Sequence, residues 1–250
     1  MDQVIAILQA RMQSKRLPGK ILADLHGRPL LARVIERLKA TKGIDRIVLA
    51  VPQQEAPYLA PLAGEAEVEI HPGSYSNVLY RFYSAAQRFP SAYVVRATGD
   101  NPLIDTFMLA RCIEECKSGQ WDIVGCRNMP LGTSAEVFPA SLLDILALFG
   151  RQEHHREHVT SYIYENENDF RIKRLEPPAR LQAPKLRLTV DTQEDLALAR
   201  LIYSNLYEPG KIIRLEKVIR FLNAHPEYVS INSQVRQRSW RSENLAHAVA

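Results

Sequence analysis

The chain has 250 residues, of which 46% are hydrophobic and 24% charged, as in ordinary globular proteins. Its 32 lysines and arginines exceed its 28 acids by only four charges, which is too small an excess to indicate binding to nucleic acid. No apolar run reaches the roughly 18 residues of a membrane span, and no secretory leader is recognisable, so we expect a cytoplasmic protein that contacts no membrane.

The first half of the chain alternates predicted strands and helices. Short runs rich in apolar and β-branched residues predict strands, and apolar residues three or four apart predict helices. The strands are expected at residues 4–8, 46–51, 68–70, 93–96 and 122–126, and the helices at 29–42, 53–64, 76–89 and 106–117. This alternation predicts an α/β fold, a three-layer sandwich around a mostly parallel, Rossmann-like sheet.

The second half is less regular. Helices are expected at residues 140–149, 152–166, 192–206 and 215–223, and strands at 169–175 and 185–190. The helix at 192–206 begins in an acidic segment that offers capping side chains. We expect one domain over residues 1–229, followed by a polar tail at 230–250.

Three cysteines, Cys112, Cys116 and Cys126, show no spacing typical of a disulfide framework. We expect reduced thiols, since an odd number of cysteines without such spacing is typical of an intracellular protein. Cys112 and Cys116 lie four apart on a predicted helix, where buried thiols are more common than a metal site. We assign His154 and His155 to the surface.

A basic loop follows the first predicted strand. It places Arg11, Lys15, Arg16 and Lys20 within twelve residues. It is no Walker A motif, because Ile21 follows Gly19-Lys20 where that motif has Ser or Thr. Four cations repel one another unless an anion of several charges lies among them, and a triphosphate meets this demand. The alternative is a solvated basic loop without a ligand.

Two acids end predicted strands. Asp100 follows Thr98-Gly99 after the strand at 93–96, and Asp191 follows the strand at 185–190. Each could simply cap the next turn or helix. Because the carboxyl ends of parallel strands share one edge of a sheet, both are expected near the basic loop. Two carboxylates beside a triphosphate make a complete Mg²⁺ site.

These motifs resemble those of a known family. The runs QARMQSKRLPGKIL, GSYSNVLYRFYSAA, VVRATGDNPLID, REHVTSYI and LTVDTQEDL are similar to the cytidylyltransferases that make CMP-activated acid sugars. These include the CMP-Kdo and CMP-sialic acid synthetases, and the closest likeness is to the branch typified by the spore coat polysaccharide biosynthesis protein SpsF. The resemblance spans roughly residues 3–207.

The resemblance implies a fold of the nucleotide-diphospho-sugar transferase type and a nucleotidyl transfer from CTP to a sugar acceptor, with Mg²⁺ as cofactor and pyrophosphate as product. It also implies a homodimer formed through an inserted arm at about residues 127–176. The implied roles are base reading by the backbone of Leu8, Gln9 and Ala10, and nucleotide or phosphate binding by Arg11, Ser14, Arg16, Lys20 and Thr98. Metal binding is implied for Asp100 and Asp191, and catalysis for Arg11, Lys20 and Asp100. We add the hypothesis that Glu136, Arg156 and His158 bind the acceptor, the alternative being that Arg156-Glu157-His158 is a solvated or capping face of a helix.

The chain departs from the family pattern at Ser134 and Asn77, where acids are common, and at Thr98, where the Kdo enzymes have Gln. These departures bear mainly on the identity of the acceptor, and they also leave open a base other than cytosine. One alternative is a glycosyltransferase of the same fold, but that class usually carries Asp-x-Asp where this chain has Gly99-Asp100-Asn101. Another is a non-catalytic scaffold, which predicts loss of the cations or acids that are present here.

Overall fold

The structure is a computed structural model that describes residues 2–237. Seven strands form one sheet in the order β3-β2-β1-β4-β6-β5-β7. The strands are β1 (Val4–Gln9), β2 (Arg46–Pro52), β3 (Glu69–Gly73), β4 (Tyr93–Thr98), β5 (Ile123–Cys126), β6 (Glu136–Pro139) and β7 (Ile172–Leu175). β1 to β4 are mutually parallel, β5 and β7 are parallel, and β6 runs antiparallel to both of its neighbours.

Helices cover both faces of the sheet. They are α1 (Leu30–Lys39), α2 (Ala56–Glu65), α3 (Val78–Arg88), α4 (Thr106–Lys117), α5 (Leu142–Phe149), α6 (Glu153–Glu157), α7 (Ser161–Glu165), α8 (Gln193–Leu206), α9 (Leu215–Ala224) and α10 (Pro226–Val229). The apolar side chains of α1, α2, α4, α8 and α9 form one core, and those of α3, α5 and α7 form the other. The predicted three-layer α/β architecture is confirmed.

Alternation along the central strands decides which core each side chain enters. On β1, Ala6 and Leu8 enter the core under α1, while Ile5 and Ile7 enter the core under α3. The predicted strands and helices of the first half are all present, with shifted ends. Within residues 2–237, no helix is long and apolar enough to cross a bilayer.

The single helix expected at residues 152–166 is wrong, because the structure has two short helices, α6 and α7. They are separated at His158, which has non-helical backbone angles. The β-branched pair Val159-Thr160 follows, and such residues favour helices weakly. The Thr160 hydroxyl donates to Glu136 on β6 at 2.8 Å, so a contact with the sheet fixes the break.

The strand expected at residues 185–190 is also wrong. This segment makes one isolated bridge, from Arg187 to Leu131, and no ladder. The neighbouring segment turns at Gly132, which has a φ of 88°. A Cβ on Gly132 would lie 2.5 Å from the amide nitrogen of Thr189, so the two backbones touch here and then diverge.

Residues 127–176, expected as an inserted arm, supply β6 and β7 to the central sheet and α5 to α7 to one face. The division into one domain and a tail stays a prediction, and residues 238–250 of that tail lie outside the described part. All three cysteines are free thiols, with Cys112 and Cys116 buried. Burial raises the pKa of Cys116 to about 12, which keeps this thiol protonated at neutral pH.

Candidate active site

A cleft of about 580 Å³ opens at the carboxyl ends of β1 and β4. These strands are adjacent, yet the chain leaves β1 towards β2 on one side and reaches β4 on the other. Ligands of open α/β sheets bind at such a switch point. All four cations of the basic loop line the cleft, together with Asp100 and Asp191.

The backbone of the basic loop is anchored by a buried acid. Glu55, only 4% exposed, accepts from the amide of Met12 at 2.6 Å and from that of Gln13 at 3.4 Å. The loop then closes on itself, as the amide of Gly19 donates to the carbonyl of Met12 at 2.8 Å. Gly19 has a φ of 71°, a left-handed conformation that glycine adopts without steric cost. The loop is therefore held in shape without using its cationic side chains.

Lys20 lies at the centre of the site. Its Nζ donates to Asp100 Oδ2, Asp191 Oδ1 and the carbonyl of Val190, each at 2.8 Å. The residue is 7% exposed. Burial opposes its charge, but the two carboxylates outweigh burial and hold the pKa of Lys20 above its usual value. One ammonium group thus gathers two strand-end acids at a single point.

The two acids meet because their backbones are paired. The amide of Val190 donates to the carbonyl of Asp100 at 2.8 Å. Thr192, and not Asp191, caps α8 by accepting from the amide of Asp195. The Asp191 carboxylate is therefore left to face the cleft. Residues 185–190 form no strand, yet Asp191 lies near the basic loop as predicted.

Asp191 is also braced from two other sides. Arg16 Nη2 lies 2.9 Å from its Oδ2, and Arg187 Nη2 lies 2.8 Å from the same oxygen. Arg187 is in turn fixed by a two-pronged contact with buried Asp195, at 2.9 and 3.1 Å. Burial opposes the charge of Asp191, but Lys20, Arg16 and Arg187 hold the pKa of its carboxyl below the usual value. Asp191 is ionised at neutral pH.

These donors fit a divalent cation. Asp100 and Asp191 present oxygens to one point, and Mg²⁺ in nucleotide sites takes one or two carboxylates together with phosphate oxygens. Lys20 Nζ lies at that point, so a cation binding there competes with an ammonium for both acids. The cations of the loop remain beside it for phosphate groups.

The other predicted nucleotide contacts fall into two groups. Gln9, Ala10, Ser14 and Thr98 line the cleft, as does Arg11, whose Nη2 lies 3.0 Å from Glu157 on α6. Leu8 is fully buried and lies outside the cleft lining. The structure therefore brings together the predicted phosphate-binding side chains, while their roles stay predictions.

The three predicted acceptor residues are not brought together. His158 lines the cleft, whereas Arg156 is exposed outside it. Glu136 lies behind the cleft wall, where its carboxylate accepts from Arg96 at 3.0 Å, Thr160 at 2.8 Å and Tyr164 at 2.5 Å. This carboxylate is committed to protein partners.

Two arginines in the cleft lining were missed from the sequence. Arg81 on α3 is 1% exposed, its Nη1 donates to the carbonyl of Ser74 at 2.6 Å, and its Nε has no hydrogen-bond partner among the described residues. Arg96 on β4 also has an unpartnered, buried Nε. The signal for Arg81 was available, because it stands on the apolar stripe of a predicted helix between Val78 and Phe82.

Arg81 carries a buried charge that no carboxylate neutralises at ion-pair distance within residues 2–237. Burial, assisted by the charge of Arg11, lowers its pKa to about 10, so it remains cationic at neutral pH. Buried charges in proteins are normally paired. Arg81 therefore adds an uncompensated positive charge to a cleft that is already basic.

Comparison with known proteins agrees with this geometry. The family model described as cytidylyltransferase matches residues 5–229. The chain belongs to the cytidylyltransferase family. It is 33% identical to the spore coat polysaccharide biosynthesis protein SpsF of Bacillus subtilis, over 91% of this chain and 97% of that protein. The predicted family and the prediction of a nucleotidyltransferase are thereby confirmed.

Two solved structures show the same fold as this cytidylyltransferase. A cytidylyltransferase from Leptospira borgpetersenii superposes with a TM-score of 0.84 at 28% identity, covering 95% of this chain and 99% of that one. A CMP-2-keto-3-deoxy-manno-octonic acid synthetase, solved in complex with CTP, superposes with a TM-score of 0.65 at 13% identity, covering 81% and 99%. The family match favours nucleotidyl transfer over the glycosyltransferase and scaffold alternatives.

The cytidylyltransferase carries one other group of potential metal ligands within its described residues, formed by His154, His155 and Glu165. The prediction of a surface position for His155 is wrong, because it is 3% exposed. Its Nδ1 accepts from the amide of Gln152, so Nε2 carries the proton that is directed to Glu165 at 2.6 Å. A metal-binding imidazole needs the opposite arrangement, with the second nitrogen donating. This cluster ties α6 to α7.

Proposed function

We propose that this cytidylyltransferase transfers the CMP group of CTP to an acidic or otherwise modified sugar with Mg²⁺ as cofactor and pyrophosphate as the second product. The observation that carries the proposal is the convergence of Lys20, Asp100 and Asp191 beside a loop of cations. The relation to SpsF supports a role in surface polysaccharide synthesis. The expected cytoplasmic location stays a prediction.

In the proposed mechanism the basic loop orients the triphosphate. Arg16 and Arg11 offer planar donors to phosphate oxygens, and Ser14 lines the same side. Lys20 supplies charge where the bond between the α- and β-phosphorus groups breaks. Positioning and charge stabilisation supply most of the catalysis in such transfers, and little covalent chemistry is needed from the protein.

Asp100 and Asp191 would hold Mg²⁺. When bound, the cation would neutralise phosphate charge and favour departure of pyrophosphate. The chain's own part is to keep both acids aligned, Asp191 through Lys20, Arg16 and Arg187, and Asp100 through Lys20. An acceptor oxygen on the side of β4 then attacks the α-phosphorus in line with the leaving group.

The proposal includes a homodimer. α5 exposes Ile145, Leu148 and Phe149, which are 42%, 57% and 53% exposed. Three large apolar side chains on one short helix favour contact with another protein surface. The expected dimerisation segment contains this helix, so we assign the surface to a second copy of the chain.

The test is pyrophosphate release with each of four nucleoside triphosphates and Mg²⁺, against a panel of Kdo, sialic acids and sugar phosphates. The proposal expects release with CTP and at least one acidic sugar. Asp100→Asn is expected to lower the rate by about 100-fold or more at unchanged stability. Asp169→Asn, an exposed acid outside the cleft, is the matched control. Release with no pair, or full activity in Asp100→Asn, contradicts the proposal.

A further inference from the structure

Arg96 lies on β4 and lines the cleft. Along β4, Val94 enters the core under α3, while Val95 and Ala97 enter the opposite core. Alternation therefore places Arg96 and Thr98 on the face that carries the cleft. Both residues line it, and the side chain of Arg96 is 20% exposed.

The guanidinium of Arg96 is held through its Nη1 nitrogen. Arg96 and Glu136 are direct neighbours across the antiparallel pair of β4 and β6, and Nη1 lies 3.0 Å from Glu136 Oε2. Glu136 is itself fixed by hydroxyls of Thr160 and Tyr164. Its carboxylate orients the arginine and has little capacity left for a ligand.

The other edge of the guanidinium has no hydrogen-bond partner within residues 2–237. Nε is buried and without a hydrogen bond among the described residues, and Nη2 points to the same side of the planar group as Nε. An Nε–Nη2 edge donates two parallel hydrogen bonds, which is the geometry that a carboxylate accepts. An unmade bond at a buried donor is costly unless a ligand completes it.

Arg96 lies between two neighbouring strands of the sheet. It is paired with Ile7 on β1, the strand that leads into the basic loop, and with Glu136 on β6. Four residues of extended chain bound the distance from Arg96 to Asp100 at about 13 Å. Arg96 and the proposed metal ligand Asp100 therefore belong to one cleft.

We infer that Arg96 binds a carboxylate of the acceptor through its Nε–Nη2 edge, and that Glu136 is the residue that positions it. The inference rests on the proposed function and makes the acceptor a sugar acid. It replaces the expected direct contact of Glu136 with the acceptor.

The test compares Arg96→Lys and Arg96→Met with the wild type, using CTP, Mg²⁺ and the probes Kdo, N-acetylneuraminic acid and their methyl esters. Arg96→Lys keeps a charge for Glu136 but lacks the planar fork, so it separates recognition from folding. The KM for the acid is expected to rise about 10- to 100-fold in both variants, with the KM for CTP unchanged. Glu136→Gln is expected to raise the acid KM less, again without changing the KM for CTP.

Arg171→Met, a change of an exposed arginine paired with Asp122 far from the cleft, is the matched control and should change neither KM. Wild-type turnover that prefers a methyl ester to its acid overturns the inference. An unchanged acid KM in Arg96→Lys does so as well. In both cases CTP-dependent turnover continues, and the proposed function stands.

A second readout needs no turnover. The Nε–H resonance of Arg96, identified by its absence in Arg96→Lys, should shift when either acid is added to CTP-bound protein and stay in place with the methyl esters. No shift with either acid overturns the inference. Failure of CTP itself to bind refutes the proposed function instead, so the two failures are distinguishable.

Discussion

Lys20 is the residue on which the site's arrangement depends. Its ammonium lies between Asp100 and Asp191, at 2.8 Å from each, and is almost fully enclosed. It therefore has two opposing effects, since it gathers the acids and also competes with a cation for them. A substitution that removes only the charge separates these effects.

Lys20→Met tests this directly. We expect turnover to fall by about 100-fold or more, because the phosphate charge loses a fixed ammonium. We also expect Mg²⁺ alone to raise the melting temperature of the variant more than that of the wild type, because the two acids are left without their shared partner. Thermal unfolding with and without Mg²⁺, in the absence of nucleotide, measures the second effect.

Lys15→Met is the control for that experiment, because Lys15 lines the cleft without an ion pair to either acid among the described residues. Its response to Mg²⁺ alone should match the wild type. Equal Mg²⁺ shifts in Lys20→Met and the wild type would contradict the assignment of the two acids to a cation.

Arg81 and Arg96 show that a sequence can mark a residue without revealing whether its side chain finds a partner. Both lie in motifs that the sequence had already marked, yet their importance rests on unpartnered Nε atoms. Whether an arginine finds a partner depends on which residues other elements bring to it. Glu136 reaches Arg96 from forty residues away, through a register that no local pattern specifies.

Among elements, the segment from Arg187 to Asp191 is the one that aligns the site. It follows the turn at Gly132 so closely that no side chain fits between the two backbones. The pairing of Val190 with Asp100 depends on that approach. Helix α8 begins immediately afterwards, so a shift of the segment moves Asp191 away from Lys20.

Gly132→Ala is expected to destabilise the fold and remove activity together. The added Cβ would lie 2.5 Å from the amide nitrogen of Thr189, on a residue with positive φ. Gly119→Ala is the matched control, because its φ is 74° and nothing lies within 4 Å of the added carbon. The unfolding free energy of the control should fall by only about 1–2 kcal/mol, the cost of a left-handed conformation for alanine, and its activity should be kept.

Denaturant unfolding and turnover of the two glycine variants decide the matter. The unfolding free energy of Gly132→Ala should fall clearly below that of Gly119→Ala. Equal losses of stability with full activity in both would show that the contact between Gly132 and Thr189 does not align Asp191.

The exposed apolar face of helix α5 leads to a prediction about the oligomeric state. Leu148→Asp places a charge on its exposed apolar face and should convert a dimer into a monomer in sedimentation experiments. Tyr58→Asp on α2, at a side chain 69% exposed, is the control and should leave the assembly unchanged. A wild-type chain that sediments as a monomer would refute the assignment of this face to a second copy.

At the scale of the whole molecule, the sequence predicted the arrangement that follows from the parallel strands. Asp100 and the basic loop were expected at one edge because strand ends of a parallel sheet coincide, and they lie there. The antiparallel β6 was not predicted, since Glu136-Val137-Phe138 is too short a run to reveal its pairing. Of the three predicted acceptor residues, only His158 lines the cleft, because β6 places Glu136 behind the cleft wall and α6 leaves Arg156 exposed outside it.

In the proposed function, the basic loop after β1 binds the nucleotide and Arg96 on the adjacent strand β4 binds the acceptor. The central claim is that Lys20, Asp100 and Asp191 catalyse transfer of a CMP group. The most direct measurement uses two preparations of CTP, one labelled at its α-phosphorus and one at its γ-phosphorus. It measures which label enters an acidic sugar. We predict that only the α-label enters the sugar and that Asp191→Asn prevents its entry. Transfer of the γ-label, or undiminished transfer by Asp191→Asn, would contradict the account.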